Sequence, residues 1–126
     1  MDMKLELVPL PVSDVDRAKA FYAERVGFTV DHDVTPSETM RVVQLTPPGS
    51  ACSIVIGTGL GELSDRPPGS VKGLHLVVAD IRTARETLVG RGVDIGAVDD
   101  LGGVKYASFS DPDGNSWLLQ EIPATA

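Results

Sequence analysis

The sequence predicts an α+β fold made of two βαβββ modules, which form cupped, mostly antiparallel sheets with helices outside. The first observation is a tight turn that leads into an apolar strand at residues 111–121, where Pro and Gly set the turn. The same pattern occurs 65 residues earlier, at residues 46–56. The second observation is that Asp14 and Asp80 each precede an apolar helical face. Such a repeat indicates that one structural unit occurs twice in the chain.

The first module begins with a predicted strand at residues 5–12, where apolar side chains alternate weakly. Ser13 or Asp14 caps a helix whose apolar side chains fall on one face, and Gly27 ends that helix. Three further strands are predicted at residues 28–34, 40–45 and 51–56, with a turn at residues 35–37. The order of elements is therefore β-α-β-β-β.

The second module repeats this order after a glycine-rich connector. Residues 57–73 show no sustained period, and a loop of this length is often functional or mobile. After it the sequence predicts a strand at 74–78, a helix from Asp80 to Gly92, strands at 93–98, 104–109 and 116–122, and a turn at 101–103. We divide a single domain into module one at 1–57, the connector at 58–72 and module two at 73–126.

Composition excludes several classes of function. The chain has 126 residues, a formal net charge of −7 and a pI near 4.6, so it offers no basic face for nucleic acid or for anionic membranes. No apolar run approaches the length of about 20 residues that a membrane span needs, and the N-terminus has no signal-peptide pattern. The single cysteine, Cys52, fits a reducing compartment. We therefore expect a cytoplasmic protein without nucleic-acid or membrane partners.

Four stretches of the chain match a known pattern: VSDVDRAKAFY at 12–22, VGF at 26–28, VADI at 78–81 and FSDPDGN at 109–115. With these stretches the chain resembles the vicinal oxygen chelate superfamily, which includes glyoxalase I, extradiol dioxygenases, fosfomycin-resistance proteins and bleomycin-resistance proteins. The resemblance covers nearly the whole chain. It is specific for the fold and not for one activity, because one fold supports many functions.

The resemblance implies where a metal site would lie. Enzymes of this family hold a divalent metal by His and Glu at four strand positions, seven residues before each helix cap and four after each turn glycine. In this chain those positions are Leu7, Gly73, Ser53 and Leu118. Leu and Gly offer no donor atom and Ser is a poor ligand. We therefore expect no metal and no cofactor.

His75 is the main polar candidate in the groove that the resemblance implies. It lies two residues after Gly73 and so shares its sheet face. There it would act as a ligand contact, a base or a hydrogen-bond donor. The alternative is a histidine satisfied by a neighbour on an apolar face.

The other candidate ligand-binding residues are polar side chains and an apolar floor. Gln120 shares the parity of Leu118 and is expected to face the groove. Tyr106 and Arg41 are expected at equivalent places in the two modules, on strands whose facing the sequence does not fix, so structural or solvated roles stay open for them. The strand-face residues Leu7, Pro9, Gly73 and Val77 give a mostly apolar floor that suits an organic ligand with few polar anchors. Ser53 and Leu118, on the last strand of each module, are also expected to contact the ligand.

Three more residues are expected outside the groove. Trp117 has the parity of the helix side and is expected in the core. Glu121 is expected to point outward or to lie at an interface. His32 lies in an acidic stretch and is expected on the solvated surface.

Three functions fit these observations. The first is a metal-independent binding protein of the bleomycin-resistance type, which sequesters a mostly apolar organic ligand. The second is a glyoxalase-like lyase or isomerase, or a dioxygenase-like enzyme, with His75 as general acid or base. The third is a small regulatory or structural dimer with a vestigial groove. We expect a homodimer, because the resemblance implies half-open sheets that complete their groove against a partner.

Overall fold

The computed structural model describes residues 1–123, so the last residues of predicted module two, 124–126, lie outside the described range. The helices are α1 (Val15–Ala20) and α2 (Ile81–Gly90). The strands are β1 (Leu7–Pro9), β2 (Thr29–Ser37), β3 (Met40–Thr46), β4 (Ser53–Thr58), β5 (Leu74–Val77), β6 (Asp99–Leu101), β7 (Val104–Ser110) and β8 (Ser116–Glu121). None of the described helices is long and apolar enough to cross a membrane.

The strands form two four-stranded sheets, one from each half of the chain. The strand orders are β1-β4-β3-β2 and β5-β8-β7-β6. In each sheet the first pair is parallel and the other two pairs are antiparallel. The predicted α+β fold with two βαβββ modules is therefore confirmed, and each sheet is mixed.

Several predicted boundaries differ from the structure: the first strand, predicted at 5–12, spans only Leu7–Pro9, and two further differences have a clear physical cause. Residues 35–37 do not form a turn, because Ser37 still pairs with Met40 and the chain reverses at residues 38–39. Residues 93–98 make only one bridge, from Ile95 to Phe109, and the strand follows at Asp99–Leu101. The reason is that Arg85 donates to the carbonyl oxygens of Ile95 and Gly96, which a strand partner would otherwise use.

Both helices begin and end as the sequence predicts. The Asp14 side chain accepts a hydrogen bond from the Arg17 backbone N–H, and Asp80 accepts from the first turn of α2. Helix α1 continues as a π-helical turn at Phe21–Val26. Gly27 follows with φ of 98°, a left-handed conformation that favours glycine.

The two modules share one apolar core. It combines side chains of both helices with the helix-side faces of both sheets, including Leu10, Val15, Ala18, Tyr22, Phe28, Val43, Leu45, Ile54, Ile56, Ile81, Leu88, Val93, Phe109, Trp117 and Leu119. Fully burying one large apolar side chain stabilises the fold by about 1.5–3 kcal/mol. Successive side chains of a strand alternate between faces, so each sheet turns its other face away from this core. We call that second face of each sheet its groove face.

A buried polar network crosses the boundary between the modules. Asp111, which is 5% exposed, accepts hydrogen bonds from the Tyr22 hydroxyl at 2.8 Å and from the Asn115 side-chain amide at 2.8 Å. Trp117 Nε1 donates to the Tyr22 oxygen at 2.9 Å. Burial, together with the neighbouring Asp111 carboxylate, raises the pKa of the Tyr22 phenol far above its ordinary value. The network therefore fixes α1 against the second sheet.

Candidate groove site

Three predicted polar site residues, His75, Tyr106 and Gln120, lie together on the groove face of the second sheet. His75 on β5 is opposite Leu118 on β8, and Gln120 on β8 is opposite Tyr106 on β7. The His75 and Tyr106 rings meet edge to face, with centroids 6.0 Å apart and an interplanar angle of 88°. Gln120 Nε2 lies 3.4 Å from the Tyr106 hydroxyl oxygen. The cluster is accessible, because the His75 side chain is exposed and those of Tyr106 and Gln120 are half-buried.

The backbone sets the hydrogen-bonding state of His75. Its Nδ1 lies 2.7 Å from the carbonyl oxygen of Gly73. A carbonyl oxygen only accepts, so Nδ1 carries the proton and Nε2 is the ring nitrogen left to face a ligand. Gly73 has φ of 77°, a left-handed conformation that favours glycine and brings its carbonyl oxygen toward the ring.

Strand register places His75, and not Gly73, at the position that corresponds to Leu7. In the first sheet Leu7 is opposite Ser53, four residues after the turn glycine. In the second sheet Leu118, also four residues after a turn glycine, is opposite His75. Counting back from the helix caps missed this, because Leu10 lies four positions before its cap, Asp14, whereas the equivalent Val78 lies only two positions before Asp80. The two residues are equivalent because they make the same hydrogen bond in their own sheets. The Leu10 N–H donates to the Val55 carbonyl oxygen on β4, and the Val78 N–H donates to the Gln120 carbonyl oxygen on β8.

The groove face of the first sheet carries Leu7, Pro9 and Ser53, as expected from their parity. The Ser53 hydroxyl oxygen is 2.6 Å from that of Thr46, and Thr46 donates in turn to Asp31. Ser53 is only 5% exposed. This face is therefore mostly apolar around a short chain of hydroxyl groups that ends on a carboxylate.

Arg41 lies apart from the His75 cluster. Its guanidinium donates to Asp33 at 3.1 and 3.0 Å and to Asp16 of α1 at 2.7 Å, which places it on the helix side of the first sheet. The residue that corresponds to Tyr106 by register is Gln44, which sequence reasoning missed. The signal was hard to read, because Gln44 lies 11 residues before its partner Val55, whereas Tyr106 lies 14 residues before its partner Gln120.

All three residues expected outside the groove lie outside it, but Glu121 is half-buried against the start of α2 and does not point outward. Trp117 is buried in the core and His32 is exposed. Glu121 accepts a hydrogen bond from the backbone N–H of Ile81 and pairs with Lys105 at 3.5 Å. It therefore holds the start of α2 and takes no part in the groove.

Clefts run beside β5, where the second sheet approaches the turn at residues 47–50 of the first module. One of about 250 Å³ contacts His75, and its wall is otherwise mostly apolar, with Leu5, Val8, Pro47, Ile54, Leu74, Leu76 and Trp117. Another, of about 330 Å³, joins His75 and Val77 to that turn. His75 thus stands where the open groove face meets the gap between the modules.

The residues at the expected metal positions do not form a metal-binding set. Within residues 1–123, no three His, Cys, Asp or Glu side chains are grouped closely enough to hold a metal ion. By register the four positions hold Leu7, Ser53, His75 and Leu118, and only the imidazole is a strong ligand. One strong donor does not fit a three- or four-ligand centre.

Comparison with known proteins adds the family. The chain matches the model of the Glyoxalase/Bleomycin resistance protein/Dioxygenase superfamily over residues 4–119. It is 34% identical to TnmS3, an antibiotic binding protein from Streptomyces sp. CB03234, over 97% of this chain and 98% of that one, with a TM-score of 0.83. A superfamily member from Sphaerobacter thermophilus is 32% identical over 95% and 98% of the two chains, with a TM-score of 0.82. The uncharacterized protein YetH of Bacillus subtilis is 28% identical over 96% of this chain and 100% of its own length. The chain therefore belongs to the Glyoxalase/Bleomycin resistance protein/Dioxygenase superfamily.

Proposed function

We propose that the protein is a metal-independent binding protein that sequesters a mostly apolar organic molecule in its groove. The observation that carries this proposal is the groove face of the second sheet, where His75, Tyr106 and Gln120 stand among apolar side chains. A site of this kind, apolar with a few placed polar groups, is typical of small-molecule recognition. The antibiotic-binding relative TnmS3 supports the same class of ligand.

The groove requires a second copy of the chain. Both sheets turn their helix-side faces to one shared core, so each groove face points away from that core. Val77, on the groove face of β5, is 64% exposed. A homodimer that sets the first sheet of one chain against the second sheet of the other would enclose a ligand between them. The acidic charge and the single cysteine support a cytoplasmic location for this dimer.

A thermal-shift screen tests the binding proposal. Protein purified without chelator is heated with apolar aromatic antibiotics, with and without EDTA. A ligand present at 100 times its Kd stabilises the folded state by about 2.7 kcal/mol, which raises Tm by about 10 °C for a chain of this size. We expect the rise to be the same with EDTA.

Two further measurements complete this test. Light scattering at micromolar concentration should give about twice the chain mass of 13.3 kDa. Metal analysis of the purified protein should give far less than one metal ion per chain. Stoichiometric zinc, nickel, manganese or iron would contradict metal independence, and a monomeric mass would contradict the shared groove.

The exposed Nε2 of His75 favours a second candidate, a glyoxalase-like lyase or isomerase in which this nitrogen moves a proton. His75→Gln separates the two functions. In an enzyme the variant should still bind its substrate while turnover falls by about 100-fold or more. In a binding protein no turnover exists to lose, and only affinity changes.

A further inference from the structure

We propose that the second sheet selects a planar compound that carries a hydrogen-bond donor beside an acceptor, as in a hydroxyl next to a carbonyl on one ring system. This inference rests on the proposed binding function and names the chemistry of its ligand. It follows from the direction of the hydrogen bonds that the three polar groups already make.

The acceptor side of the site is His75. The proton on its Nδ1 is used by the Gly73 carbonyl oxygen at 2.7 Å. In the neutral ring the other nitrogen, Nε2, has a lone pair and no proton, so it accepts. A ligand that meets His75 productively therefore presents an O–H or N–H group to it.

The donor side is Tyr106. Its oxygen accepts from Gln120 Nε2 at 3.4 Å, which leaves the phenolic proton without a partner among residues 1–123. A phenol has one proton to donate, so Tyr106 directs it at an acceptor on the ligand. Gln120 thus positions the hydroxyl of Tyr106 through its amide N–H.

The shape of the cluster favours a flat ligand. The two rings meet edge to face at 6.0 Å, so the acceptor and the donor lie on neighbouring side chains of one sheet face. Leu118 lies between their strands, opposite His75, and Val77 stands exposed beside them. A planar ring system covers this apolar surface while one of its edges meets both polar groups.

Three probes of similar size test the pattern by fluorescence or NMR titration. 3-Hydroxycoumarin carries both groups, 3-methoxycoumarin lacks the donor, and 2-naphthol lacks the carbonyl. Tyr106→Phe removes the protein donor and His75→Phe removes the protein acceptor, and both keep an aromatic ring. Arg82→Ala, at an exposed position on α2, is the control.

The expected result is a crossed pattern. Tyr106→Phe should weaken binding of the two coumarins by about 2- to 13-fold and leave 2-naphthol unchanged. His75→Phe should weaken 3-hydroxycoumarin and 2-naphthol by a similar factor and leave 3-methoxycoumarin unchanged. Gln120→Glu should act like Tyr106→Phe, because a carboxylate would accept the phenolic proton. Arg82→Ala should change none of the three affinities.

Two outcomes would overturn the inference and are distinct from each other. If all three probes bind and each variant weakens them equally, the groove binds organic ligands but the donor and acceptor assignment is wrong. If the wild-type protein binds none of the probes up to millimolar concentration, the proposed binding function fails, and this inference fails with it.

Discussion

At the scale of single residues, Tyr22 does most to join the two modules. Its ring packs against Phe28 at a centroid distance of 5.5 Å and against Trp117 at 5.7 Å. Its hydroxyl stands between the Asp111 carboxylate and the indole N–H, both of which are buried. No buried side-chain polar atom within residues 1–123 lacks a partner, and this hydroxyl satisfies two such groups at once.

Tyr22→Phe should therefore destabilise the protein by about 1–3 kcal/mol, because it leaves a buried indole N–H without an acceptor and removes one donor to Asp111. The measurement is the urea denaturation midpoint with an unchanged m-value. Tyr106→Phe is the matched control, since the same substitution on the accessible groove face should change stability by no more than about 0.5 kcal/mol. If Tyr22→Phe and Tyr106→Phe lower the free energy of unfolding equally, the buried hydrogen bonds of Tyr22 do not contribute the predicted stability.

At the scale of elements, a charge cluster holds α1 on the first sheet. Asp33 on β2 pairs with Lys19 of α1 at 2.7 Å and with Arg41 on β3 at 3.0 Å, and Arg41 also reaches Asp16. Hydrogen bonds from Arg41 and then from Lys19 hold the pKa of Asp33 well below its ordinary range. The Asp33 side chain is 25% exposed, so solvent weakens the cluster without removing it.

This lowered pKa predicts how stability depends on pH. Below about pH 4 an unfolded aspartate binds a proton while the folded Asp33 does not, so the stability that its partners supply is lost as the pH falls further. Asp33→Asn removes this contribution and should make the denaturation midpoint less sensitive to pH between about 4 and 2. Asp99→Asn, at an exposed position on β6, is the control. If the denaturation midpoint of Asp33→Asn falls as steeply between about pH 4 and 2 as that of the wild type, Asp33 is not the group responsible for the acid sensitivity.

The sequence revealed those elements whose signals are local. Helix caps such as Asp14 and turn glycines such as Gly114 act through their own backbone, so both helices and the duplicated plan were predictable. The strand expected at 93–98 was wrong because a distant side chain, Arg85, takes its carbonyl groups. The facing of Tyr106 was not predictable either, since it depends on register across a turn whose length differs between the modules.

At the scale of the whole molecule, the way the modules pack determines where the site lies. Their helix-side faces share one core, so the groove faces point away from it. Sequence patterning identified Gln120 and Leu118 as groove-face residues, because strand parity is a local property. It did not show that His75 corresponds to Leu7, which required the pairing of β5 with β8.

The helix ends hold each other in a reciprocal arrangement. Arg25 donates to the carbonyl oxygen of Gly92 at 3.1 Å, and Arg91 donates to that of Val26 at 3.3 Å, so each module caps the other's helix. A Cβ atom at Gly27 would lie 2.8 Å from the Arg91 guanidinium, which shows how closely these ends approach.

Because these contacts do not pass through the connector, the chain should tolerate being supplied as two pieces. Fragments 1–63 and 64–126, divided after the 3₁₀ turn Gly61–Leu63, should reassemble when they are co-expressed and should copurify through a tag on one of them. Replacing both Arg25 and Arg91 by Ala should lower the yield of the complex more than it lowers the yield of the intact chain, since only the fragments depend wholly on contacts between modules. If the fragments never associate, the covalent connector, and not the hydrogen bonds of Arg25 and Arg91, keeps the two modules together.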